Sequence, residues 1–144
     1  MRPVSRLALQ NGDDYPVAAK RHLLDARKLL SSSRPDGAAY LSGYVVECAL
    51  KTLIVLEDKT PPYLHKLGGL RNKVNQVAAI AGSKAARYFG HATQTVAAAK
   101  IANWNPNMRY RPDSMTQDVA ATWYAEAERI YRETIWQMYL DGVI

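Results

Sequence analysis

Two stretches of the sequence combine residue types that can do chemistry. In the first, Glu47 and Lys51 lie four apart behind Tyr40 and Tyr44, inside the apolar run DGAAYLSGYVVECALKTLIVLEDK, Asp36–Lys59. Wound as one helix at about 100° per residue, Tyr40, Tyr44, Glu47, Lys51 and Asp58 share a band roughly 60° wide on a helix otherwise apolar nearly all round. Ionised groups are costly to bury without partners, so this stripe must face a cleft, a partner chain or a matching charge. Glu47 is then either half of an i,i+4 pair with Lys51 at a helix or dimer interface, or the anchor for an arginine or histidine from another helix. In the second stretch, the loop Trp104–Pro112, Arg109 and Arg111 alternate around Tyr110. Guanidinium groups grip phosphate bidentately and aromatic faces such as Tyr110, Trp104 or Tyr44 stack bases. The alternative is a rigid capping loop whose arginines pair with Glu47 or Asp58.

The other titratable residues are sparse. His65 follows Pro61-Pro62 and is expected in the first turn of a helix, as a cap, a surface residue or a catalytic base. His22, His65 and His91 do not have the spacing of metal ligands, and the single cysteine excludes an internal disulfide and any cysteine-based zinc cluster. Neither a metal nor a cofactor is expected. Cys48 falls on the apolar side of the central helix and reads as a small core residue. Walker, G-x-G-x-x-G, H-E-x-x-H and G-x-S-x-G signatures are absent.

These residues need a scaffold, and periodicity points to helices throughout. A first helix capped by Asp13 or Asp14, with Pro16 in its first turn, should run to about Leu30 and bury Ala19, Leu23, Ala26 and Leu30. Pro35 stops it and Asp36 caps the central helix, so the two form an antiparallel hairpin. A third helix is expected over His65–Ala81 and a fourth over Lys84–Ala102. A Ser114–Gln117 capping box opens the last, with Val119, Ala120, Trp123, Ala127, Ile130, Tyr131 and Met138 inward and Glu126, Arg129 and Glu133 paired outside. No run alternates long enough for a strand. The expected fold is all-α, an up-and-down bundle of four to five helices, with residues 1–13 as an N-terminal arm and 14–144 as the domain. With 144 residues, 48% hydrophobic and 22% charged, the chain can bury a real core. Its net charge of +6 permits an acidic partner such as nucleic acid without requiring one. The N-terminus lacks the apolar core of a signal peptide and no uninterrupted apolar stretch reaches membrane-span length, so a cytoplasmic protein with no membrane association is expected.

Tyr40–Lys51, YLSGYVVECALK, resembles the second-helix signature of HEPN domains (higher eukaryotes and prokaryotes nucleotide-binding), in which a glutamate precedes Ala-Leu-Lys. The first-helix segment His22–Leu30, the His65-Lys66-Leu67 tripeptide and the Asn103-Trp104-Asn105-Pro106 and Arg109-Tyr110 elements resemble the same family in the same order. The resemblance implies a helical bundle, a homodimer, and membership among metal-independent RNases or toxins of toxin–antitoxin pairs, often beside a minimal nucleotidyltransferase. Its nuclease members carry an arginine followed after four to six residues by a histidine. This chain departs there: counting from Arg109 or Arg111 reaches positions 114–118, and none is histidine. His65 would have to supply the acid/base from another helix. The resulting expectation is a HEPN-like protein that recognises RNA or a nucleotide, with Glu47, Arg109, Arg111 and His65 as catalytic candidates and Lys51, Tyr44, Trp104 and Tyr110 as binding residues. The alternative is a non-catalytic interaction module for a partner such as a nucleotidyltransferase.

Overall fold

The computed structural model describes residues 4–144, so the first three residues of the expected arm lie outside the described residues. Helix α1 spans Tyr15–Ser31 and α2 spans Pro35–Val55. Asp14 caps α1, its carboxylate accepting from the Val17 N–H, and Pro16 sits in the first turn where its missing N–H costs nothing. Pro35 likewise opens α2 rather than merely ending α1. Asp36 caps nothing in its own helix; its Oδ1 accepts from Ser114 N (3.0 Å) and Met115 N (3.1 Å) and ties the start of α2 to the approach of the last helix.

Ala38, Ala39, Val45, Val46, Ala49, Leu50, Leu53 and Ile54 are all fully buried and cover half the circumference of α2, and buried Cys48, Thr52 and Val55 carry the burial round to the polar stripe. α2 is long and apolar enough to cross a membrane by length and composition, yet 83% of its apolar window lies inside the bundle. Its coat is α1, α3 (Leu67–Ala78), the last long helix, α5 (Gln117–Tyr131), and the short turns Ala85–Tyr88, Pro106–Tyr110 and Arg132–Trp136. The fold is an all-α bundle; among the described residues there is no strand.

The expected fourth helix over Lys84–Ala102 does not form. The chain instead makes a 3₁₀ turn at Ala85–Tyr88, one α-turn, α4 (His91–Gln94), and further 3₁₀ turns at Val96–Ala98 and Lys100–Asn103. Gly90 is extended and breaks the run, and carboxylates from elsewhere supply acceptors for the backbone N–H groups this exposes. Glu57 accepts from Lys84 N and Ala85 N, Glu133 from Ala92 N and Thr93 N, and Glu126 from Lys100 N. Glu126 and Glu133 are therefore occupied across the bundle and do not form the expected ladder with Arg129.

α5 begins two residues later than a Ser114 box would place it. Thr116 is the cap, accepting from Val119 N at 3.1 Å, while Gln117 reaches back to Leu30 O at 2.7 Å. Val119, expected inside, is 41% exposed in that first turn. The helix continues through a π-turn, Arg132–Trp136, into α6 (Gln137–Leu140). α3 is shorter at both ends than expected, and this releases His65 into the preceding loop.

Candidate functional site

Contacts along the α1–α2 hairpin pair Leu29 with Gly37, His22 with Tyr44 and Tyr15 with Lys51, the order of two antiparallel helices. The polar stripe of α2 thus runs beside α1. One turn at a time it carries Tyr40, Tyr44, Glu47 and Lys51 towards the loop that ends in His65.

At that end the charges are buried and paired. Glu47 is 5% exposed, and its Oε1 takes both a hydrogen bond to His65 Nδ1 and the Lys51 ammonium at 3.6 Å. The carboxylate therefore anchors a histidine, not an arginine. His65 leans in from an exposed position with Nδ1 pinned, so Nε2 across the ring is the nitrogen left to meet a ligand. Lys51 Nζ also lies 5.6 Å from the centre of the Tyr15 ring, a cation–π contact in a half-dry setting. The group opens on a cleft of about 850 Å³ between the arm and the 59–65 loop, lined by Arg6, Asp13, Tyr15, Lys51, Lys59 and His65 among others. Burial, followed by the Asp13 charge, pushes the Tyr15 hydroxyl up to about 12. Burial and then Glu47 push the Cys48 thiol up to about 12, so it stays protonated and unreactive at neutral pH.

At the other end the arrangement is aromatic. Tyr44 meets Tyr40 and Trp104 edge-on, with ring centres 5.2 and 4.8 Å apart. Burial and the Tyr40 hydrogen bond push its hydroxyl up to about 12. Trp104 is 3% exposed, donates its indole N–H to Tyr40 O at 2.9 Å, and lies flush against the backbone of Gly43. Trp104 is consequently a wedge that seats the loop, with no face left for a base; Tyr44 is likewise engaged by its neighbours. Asn105 caps the 3₁₀ turn Pro106–Tyr110, which lifts Arg109 and Tyr110 into solvent. The Arg109 guanidinium lies 4.7 Å over the Tyr110 ring, and the Tyr110 and then Tyr40 side chains hold it in its charged form. Arg111 turns to a separate cavity of about 210 Å³ beside Asp36, Met115 and Trp123.

The structure thus brings Glu47, His65 and Lys51 together and sets Arg109 and Tyr110 apart from them. Tyr40 precedes Glu47 by seven residues, about 10 Å of helix axis, so Arg109 and His65 stand beside different turns of α2. Among the described residues neither Arg109 nor Arg111 forms an ion pair, with Glu47, Asp58 or otherwise. Sequence reasoning missed Tyr15, Asp13 and Arg6; the antiparallel hairpin it anticipated could have placed Tyr15 opposite Lys51. Also missed was Tyr63, fully exposed on the rim of the cleft.

A family model described as HEPN domain matches residues 17–135. No curated protein and no solved structure matches the chain.

Proposed function

The chain belongs to the HEPN domain family, and from that premise we propose that it binds RNA along the α2 groove and cleaves it without a metal ion. The observation that carries this reading is the Glu47–His65 hydrogen bond: a buried carboxylate fixes the tautomer and aim of an exposed imidazole, with an ammonium on the same oxygen. His65 Nε2 would take the proton from a ribose 2′-OH as its oxygen attacks the adjacent phosphorus. Lys51 would stabilise the charge on the phosphorane, and the departing 5′-oxygen would take its proton from water. Products are a 2′,3′-cyclic phosphate and a 5′-hydroxyl. Arg109 would hold a neighbouring phosphate and Tyr110 would stack a base, both along the strand rather than at the bond broken. In this reading the protein is a cytoplasmic homodimer and one half of a toxin–antitoxin or defence pair, with a nucleotidyltransferase-type partner.

Titration of the protein with labelled single-stranded RNA at several salt concentrations tests the binding half. Affinity should fall steeply with salt, and salt-independent or absent binding overturns it. Incubation with RNA in excess EDTA tests the chemistry. Cyclic-phosphate ends that disappear in His65→Ala support it; salt-dependent binding without cleavage leaves the binding-only module as the correct reading.

A further inference from the structure

Within the Glu47–His65–Lys51 group, the lysine is the member whose position is hardest to explain. Its charge sits at the end of a flexible four-carbon stem and carries three rotatable donors. The pair with Glu47 Oε1, at 3.6 Å, is longer than a hydrogen bond, and among the described residues the ammonium donates no hydrogen bond at all. Glu47 lies one turn back on the same helix, so it restrains the ammonium from one direction only. Yet the Lys51 side chain is only 10% exposed and is not free to wander in solvent. A second hold comes from α1. The Tyr15 ring has its centre 5.6 Å from Lys51 Nζ.

That ring is itself fixed. Tyr15 is the first residue of α1, directly after the Asp14 cap, and Asp14 accepts from Val17 N and, at 2.7 Å, from both Ser5 N and Ser5 Oγ. The ring packs against the core, and its hydroxyl reaches Asp13 Oδ2 at 3.5 Å. With the hydroxyl pushed up to about 12, the ring is a neutral phenol at ordinary pH and offers a cation its negative face. Two attractions from two helices define a place for the ammonium that one attraction would not. Tyr15 and Lys51 both line the 850 Å³ cleft, so that place borders the space a substrate would occupy.

We infer that Tyr15 is a positioning residue, whose ring holds the Lys51 ammonium at the edge of the cleft with its donors turned to the reacting phosphate. The inference rests on the cleavage reading of the groove and names the group that aligns its cation. Charge that develops in a transition state is stabilised best by donors already in place. Without the ring, the ammonium would be free to rotate or to close to hydrogen-bond distance on Glu47. It would then give a donor to the carboxylate that aims His65, and both groups would be disturbed. Tyr15 touches no reacting atom in this scheme. Its effect therefore runs through Lys51 and depends on the ring, with the hydroxyl secondary.

Single-turnover RNA cleavage in EDTA by Tyr15→Leu, Tyr15→Phe, Lys51→Ala and the Tyr15→Leu/Lys51→Ala double variant tests the role. Leucine fills apolar space without a π face, and phenylalanine keeps the ring without the hydroxyl. At saturating RNA, Tyr15→Leu should lower the rate about three- to thirtyfold while affinity changes little. Tyr15→Phe should keep most of the wild-type rate, and in the Lys51→Ala background Tyr15→Leu should have no further effect. A second measurement needs no RNA. In NMR spectra the ring should move the Lys51 Cε protons upfield in the wild type and in Tyr15→Phe, and Tyr15→Leu should abolish the shift. The wild-type shift stands as a test even where a variant fails to fold. An unshifted Lys51 in the wild type, a Tyr15→Leu variant that cleaves as fast as the wild type, a Tyr15→Phe variant as slow as Tyr15→Leu, or an equal loss in both backgrounds overturns the inference. With a wild type that cleaves, any of these removes the positioning role alone. A wild type that leaves RNA intact overturns the cleavage reading, and the role with it.

Discussion

The two ends of the groove handle charge in opposite ways. Around Glu47 the ions are buried and satisfy one another, with Lys51 only 8% exposed. Around Arg109 the cation stands in solvent and is held only by tyrosine side chains. Buried pairs are unforgiving: removing one member strands the other in a poor dielectric, so their geometry is tightly determined. An exposed guanidinium costs little to keep and contributes attraction that salt screens. One end is thus suited to positioning a proton transfer and the other to gathering a polyanion.

Substitutions can break this contrast at each end. The largest effect is expected from His65→Ala, which under the proposed reading lowers single-turnover RNA cleavage by about 10²–10⁴-fold while leaving binding affinity nearly unchanged. A parallel loss of affinity would show instead that His65 is a binding group. Next is Gly43→Ala, whose methyl would occupy the space of the Trp104 indole. Overpacking there should cost about 1–3 kcal/mol in urea unfolding and detach the Arg109 loop. If the two ends are independent, RNA affinity falls in this variant and the cleavage rate at saturation persists. Arg109→Ala should weaken binding to all RNA sequences alike and reduce the slope of log affinity against log salt by about 1. A change in base preference instead would relocate readout to the loop.

The smallest effect concerns the middle of the groove. Burial, and secondarily Arg21, hold His22 below its ordinary value of 6.5, and its Nδ1 is buried without a partner among the described residues. The folded state therefore favours the neutral ring, and below the ordinary value the unfolded chain binds the extra proton. Stability from this source is present above pH 6.5 and lost as pH falls through the lower folded-state value. The urea midpoint of the wild type should accordingly drop between pH 8 and pH 5 by more than that of His22→Gln.

Much of the frame was legible because it depends on local pattern. The Asp14 cap, the prolines in the first turns and the inward Ala19, Leu23 and Ala26 follow from neighbours three or four residues away. So does the contact of Glu47 with Lys51. The errors share one cause. Lys84–Ala102 has helical composition, but Glu57, Glu126 and Glu133 supply acceptors for the broken backbone, and those residues lie in distant parts of the chain. Trp104 reads equally well as a stacking platform or a wedge until Gly43 is seen beneath it.

By itself, then, the sequence determined that this is a helical bundle around one apolar helix with a polar stripe, because burial periodicity and capping are short-range. Only the tertiary structure decided what the stripe meets. His65 reaches Glu47 from a loop eighteen residues on, and the hairpin lays the Tyr15 ring against Lys51. Such pairings depend on where loops are clamped by distant partners, a long-range property that helical periodicity does not encode.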